Sequence, residues 1–222
     1  MWRDSALVAG KDLRIELRSR VVLNQVAPFS LIVLVLFALA LGPSRAPMAK
    51  AAPGLFWVSV LFATVLAVQR STSVESSGAR DGLRLSGLDP AGVFLGKTMA
   101  VAVELAFLEV LLGAGVVLFY GVHVHSAWSL LAACIAGTLG LAASGTLYGA
   151  LVGGLRVRET MLPFLLLPVV APVLLAGTRA WQSALGTGAG GAGDPWLRLL
   201  CVFAAVYLAL GVVLYGPLQE AA

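Results

Sequence analysis

Four small groups of residues in this 222-residue sequence carry side chains able to do chemistry, and none of them makes a complete catalytic set. Glu104 and Glu109 are acids inside an apolar run. Five residues apart is about 140° around a helix, so they do not share a face and do not suit paired acid–base work. An acid at membrane depth needs an interior or aqueous setting, which makes both candidates for lining a bundle interface or a translocation path. His123 and His125 stand two apart in a short polar connection, so in an extended segment both imidazoles point one way and can approach one metal or haem iron. A third ligand is missing from the pair. Cys134 and Cys201 lie in apolar runs outside any CxxC spacing, which reads as packing and not as a zinc, redox or haem-attachment motif. The segment Ala91-Gly92-Val93-Phe94-Leu95-Gly96-Lys97-Thr98 ends like a phosphate-binding loop. Its first glycine is replaced by Ala91, and a long apolar run follows Lys97, so nucleotide binding by this chain is rejected.

The elements that must position these residues are set by composition. Only 12% of residues are charged, 59% belong to the apolar set, and the mean hydropathy is +0.95. Soluble domains carry about 25% charge, so a soluble enzyme, a disordered tail and a disulfide scaffold are all excluded. A hydrocarbon core about 30 Å thick needs about 20 apolar residues in helical form. Six runs qualify, at 22–41, 51–69, 98–120, 129–152, 160–178 and 196–215. They are continuous and do not alternate, which indicates an all-α bundle of six transmembrane helices in one domain and not a barrel.

Cation placement orients the bundle. With the N-terminus inside, eleven of the fifteen Lys and Arg residues fall on inner segments, leaving Arg45, Lys50, Arg179 and Arg198 outside. Both termini are therefore expected to be cytoplasmic, with Trp128, Trp181 and Trp196 at the outer interface. Residues 5–21 read as an interfacial amphipathic helix, with Leu7, Leu13, Leu17 and Val21 toward lipid and its cations near anionic headgroups. In the fourth span Ala133, Gly137, Leu141, Gly145, Gly149 and Gly153 recur every four residues, a strip that admits a neighbouring helix closely. In the fifth, Pro163, Pro168 and Pro172 remove three backbone donors, so a kinked or broken helix is expected. The outer loop carries a glycine-rich stretch, 186–193, with no evident chemistry.

Three stretches resemble one family. The opening Lys11-Asp12-Leu13-Arg14-Ile15-Glu16-Leu17-Arg18-Ser19-Arg20 resembles the start of CcmB-type haem exporter permeases. Asp81-Gly82-Leu83-Arg84-Leu85-Ser86-Gly87-Leu88-Asp89-Pro90 with Val93-Phe94-Leu95-Gly96-Lys97, and the proline-rich stretch 162–173, are similar to further family hallmarks. The resemblance implies an ABC-2-like permease fold in a bacterial inner membrane. It also implies a non-catalytic subunit, with ATP bound by a separate CcmA-like ATPase and haem as a possible substrate. CcmC-like and CcmD-like membrane proteins and a CcmE-like periplasmic haem chaperone would be its partners. The polar inner loop 70–97 is then the expected coupling element, with Leu83, Leu85 and Leu88 docking in the ATPase and Glu75, Arg80 and Asp81 as polar contacts. His123 and His125 become candidate haem ligands. An ABC-2 permease for a lipid, drug or polysaccharide, and a non-transporting scaffold holding haem-handling partners, are the alternatives.

Overall fold

The structure, a computed structural model, describes residues 1–20, 22–42, 45–74, 87–153, 158–187 and 193–221. Among these there are seven α-helices and no strand: α1 (Trp2–Ser19), α2 (Ala27–Leu41), α3 (Arg45–Val74), α4 (Pro90–Tyr120), α5 (Ala127–Val152), α6 (Arg158–Ala184) and α7 (Gly193–Ala221). A π-helical stretch, Val22–Val26, leads into α2. Local chemistry places several of the ends. Asp89 caps α4 by accepting from the Ala91 N–H at 3.2 Å, with Pro90 in the first turn, where its missing N–H costs nothing. Ser126 caps α5, and Gly121, at φ 58°, closes α4 in the left-handed region that glycine adopts freely.

Six helices are long and apolar enough to cross a membrane, and they coincide with the six expected runs. All but α2 extend past the hydropathic stretch; α4 begins at Pro90 and not at Thr98, and α6 continues to Ala184. Hydropathy marks the part of a helix that lies in hydrocarbon, whereas backbone hydrogen bonding continues into the polar flanks. The helix α6 runs without a break through Pro163, Pro168 and Pro172, so of the two expected forms a break does not occur.

The centre of the bundle is α5, which packs against α7, α6, α4 and α3. Its small residues serve as sockets for large ones on its neighbours. Trp57 of α3 is fully buried between Gly137 of α5 and Gly177 of α6; a Cβ on either glycine would fall 2.3–2.4 Å from the indole. The indole thus occupies space that any other residue at either position would need. Gly145 receives Val68, and Gly140, off the four-residue strip, receives Phe203 of α7. Gly211 of α7 likewise seats Phe94 of α4. Phe56 stacks on Trp181 at 3.8 Å between ring centroids, and Trp57 meets both rings edge-on. Trp181 is therefore a core residue and not the interfacial anchor expected of it, because α6 continues one and a half turns past the apolar run and carries it inward. Trp128 is exposed, as an interfacial position requires.

The helix α1 lies along the first turns of α4, close enough that a Cβ at Gly96 would meet the Ser5 carbonyl and Val8 Cβ at 2.7 Å. The buried side of α1 is Ser5, Val8 and Ala9, whereas Leu7 and Leu17 are exposed. Gly216 near the end of α7 approaches Pro90, so both chain ends lie at one end of the bundle.

Enlarging Gly137 to valine should force Trp57 out of its socket. The expected cost is about 1–3 kcal/mol from overpacking, read as a lowered Tm of the detergent-purified protein. Adding Trp57→Leu to Gly137→Val should recover part of that loss, and no recovery would mean that the two residues do not share the space.

Candidate functional site

The two acids of α4 lie in separate settings, as their angular separation requires. Glu109 faces α5 and is 7% exposed. The Thr138 hydroxyl donates to its Oε1 at 2.5 Å, and Cys134, one turn before Thr138 on α5, lines the same groove. These three polar groups lie on the wall of an otherwise apolar groove of about 560 Å³ between α4 and α5. Ala106, Val110 and Gly113 form one side, Leu131 and Ile135 the other, and Trp181 closes part of the base. The small residues Ala106 and Gly113 keep the groove open; Leu or Phe there would fill it. Glu109 lies twelve residues before Gly121, about 18 Å along the helix, so the carboxyl sits near mid-membrane. Polar groups at that depth are retained only where a partner satisfies them, and Thr138 supplies that here.

Glu104, about 7.5 Å nearer the start of α4, belongs to a charged layer. It is partly exposed and shares a small pocket with Asp12, Glu16, Arg70 and Ser71. The Arg70 Nε donates to Glu16 Oε2 at 2.8 Å, tying α1 to the end of α3. Lys97 Nζ is 3.9 Å from Asp12 Oδ2, with its side chain only 5% exposed. The residue that gave Ala91–Thr98 its likeness to a phosphate loop is thus inside a helix and paired with α1.

His123 and His125 are both exposed in the connection between α4 and α5. The backbone N–H groups of His125 and Ser126 donate to the Ala184 carbonyl at 3.0 and 3.1 Å, which sews this loop to the end of α6. The His125 ring rests on Gly186, where a Cβ would approach it to 2.8 Å. Val122 and Val124, the alternate residues, line the outer end of the groove. Among the described residues no group of three or more His, Cys, Asp or Glu side chains could hold a metal ion.

Of the expected coupling residues, Glu75, Arg80, Asp81, Leu83 and Leu85 lie outside the described residues, as do positions 188–192 of the glycine-rich loop. Leu88 is half-buried and packs on the cluster of Val8, Val93, Phe94 and Tyr215, which joins the start of α4 to α1 and α7. Sequence reasoning missed Thr138 and Lys97 as site residues. Thr138 sits next to Gly137 on the small-residue side of α5, and threonine among glycines in an apolar helix is the signal that could have found it.

The position of Glu109 makes a direct prediction. Thr138→Val removes the hydroxyl donor from a buried carboxyl and should lower stability by about 1–3 kcal/mol. Glu109→Gln keeps an acceptor for Thr138 and should cost less. Equal Tm values for the two variants would show that the hydroxyl does not support the acid.

The family model described as CcmB protein matches residues 4–215. Relatives similar to this chain include "Heme exporter protein B" of Paracoccus denitrificans, 30% identical over 218 residues, covering 96% of this chain and 94% of the relative. The protein of that name from Haemophilus influenzae is 26% identical over 213 residues, covering 96% and 93%. The one from Escherichia coli K12 is 31% identical over 177 residues, covering 78% and 79%. With six membrane-crossing helices and a family match from the first turn of α1 to Tyr215 near the end of α7, the chain belongs to the CcmB family.

Proposed function

We propose that this chain is the membrane permease subunit of an ABC-type complex that exports haem for the biogenesis of c-type cytochromes. The carrying observation is the CcmB match over residues 4–215, joined to relatives named for haem export that align over most of their length. The six helices long and apolar enough to cross a bilayer support a multi-pass protein of the bacterial inner membrane. Both chain ends lie at one end of the bundle, and the cation-rich segments favour the cytoplasm for that end.

ATP is bound and hydrolysed in this reading by a separate CcmA-like subunit. The segment 75–89 meets that subunit, with Glu75, Arg80, Asp81, Leu83 and Leu85 as its contacts. Leu88 and Asp89 fasten the same segment to α4, so a displacement produced by the ATPase is passed to α4, and through Phe94 in the Gly211 socket to α7. CcmC-like and CcmD-like membrane proteins complete the complex, and a CcmE-like chaperone receives haem outside, where His123 and His125 are exposed. The groove beside Glu109 is a candidate stretch of the path.

Cells lacking this gene should lose covalent haem from their c-type cytochromes in a haem stain and regain it when the wild-type chain is supplied. Unchanged staining, in cells without a second maturation system, would overturn the assignment in favour of another ABC-2 cargo. Replacing Asp81 and Leu85 together should at least halve co-purification of the ATPase; full recovery of an active complex would remove the coupling role of the loop.

A further inference from the structure

Folding separates the charges of α1 onto two sides. Its three acids face the bundle, with side-chain exposures of 25% for Asp4, 17% for Asp12 and 12% for Glu16. Asp12 and Glu16 meet Lys97 and Arg70 there. Arg3, Lys11, Arg14 and Arg18 are all exposed, and at 100° per residue they fall with Leu7 in an arc of about 80° turned away from Asp12 and Glu16. Lys11 reaches the edge of the acidic side, 2.9 Å from Asp12 Oδ1; among the described residues Arg14 and Arg18 have no carboxylate partner.

Apolar side chains interleave with these cations. Trp2 is 83% exposed, Leu7 65% and Leu17 71%. Between Leu7, Lys11, Arg14, Ile15 and Arg18 lies a hollow of about 410 Å³, left open because Gly10 has no side chain. Its height in the bundle follows from Glu16, which stands between Arg14 and Arg18 and pairs with Arg70, where the long apolar stretch of α3 ends. The hollow is therefore level with the polar boundary of the bilayer.

We propose that this hollow holds the phosphate of an anionic phospholipid from the surrounding leaflet, with Arg14, Arg18 and Lys11 around the headgroup and Leu7 and Ile15 against the glycerol and upper acyl chain. Guanidinium groups match phosphate oxygens in pairs, and a cation at an anionic membrane surface contributes about fivefold to binding. A soluble anion would use the cations but not the apolar rim. An acidic protein surface would use neither the hollow nor its level at the membrane boundary. The site is independent of the cargo, so it stands or falls apart from the haem reading.

The test weighs the intact, detergent-purified full chain by native mass spectrometry after titration with phosphatidylglycerol or phosphatidylcholine. The wild-type protein should retain phosphatidylglycerol preferentially. Lys11→Gln, Arg14→Gln and Arg18→Gln together should lower that preference at least fivefold with Tm unchanged, since all three side chains are exposed. Gly10→Leu fills the hollow without altering charge and should lower it too; a Cβ at Gly10 meets nothing within 4 Å, so the fold tolerates the change. Wild-type preference in either variant overturns the site, as does an equal loss of both lipids. An unchanged lipid preference together with loss of a co-purifying partner subunit would make this face a protein-docking surface and would likewise overturn it.

Discussion

The rest of the bundle depends on the contact of one indole with two glycines. Within a bilayer the hydrophobic effect does not hold helices together, because lipid tails are as apolar as leucine; close packing has to do it. Trp57 occupies the place that side chains would take at Gly137 and Gly177, so α3, α5 and α6 can approach only in the register that aligns these three residues. Phe56 and Trp181 extend the contact into an aromatic cluster at the same level. Gly145–Val68 repeats the device between α5 and α3, and Gly140–Phe203 and Gly211–Phe94 fasten α7 to α5 and α4. Thr138 and Cys134 take their positions from that register through α5, and Glu109 meets Thr138 from α4.

A second constraint acts at the end of the bundle where both chain ends lie. There Gly92 and Gly96 let the backbone of α1 come against α4, and Glu16–Arg70 and Asp12–Lys97 join three helices by charge. Removing one member of such a covered pair costs more than forming it gained, so this layer rewards a single arrangement of α1 over alternatives. The same arrangement turns the cations of α1 outward. The layer is contiguous with Leu88 and the start of α4, so the segment between α3 and α4 leaves from, and returns to, a braced surface.

The helical class, the six spans and the family resemblance were legible in the sequence, and so was the separation of Glu104 from Glu109. These follow from run length, charge and helical periodicity, which are local properties of the chain. The four-residue strip in α5 was visible as a packing surface, but its occupants, Trp57 and Val68, were not. The α6 prolines illustrate the same limit. Their missing donors are readable one by one, yet a helix continues through all three because neighbours on other helices hold it. Trp181 was misplaced for a related reason: hydropathy locates the hydrocarbon and does not locate the end of a helix.

The sequence alone determined that this chain must be a bundle of membrane-crossing helices with its cations biased to one side, because an apolar run of sufficient length has no other stable solution in lipid. Tertiary structure alone decided which glycine receives which large side chain, and hence that Glu109 meets Thr138 beside a groove while Glu104 joins the charged layer under α1. Those pairings join residues 29 or more positions apart, and in an apolar helix many small residues offer a socket. Only simultaneous packing of all the helices selects among them, since each socket filled restricts the register of the next.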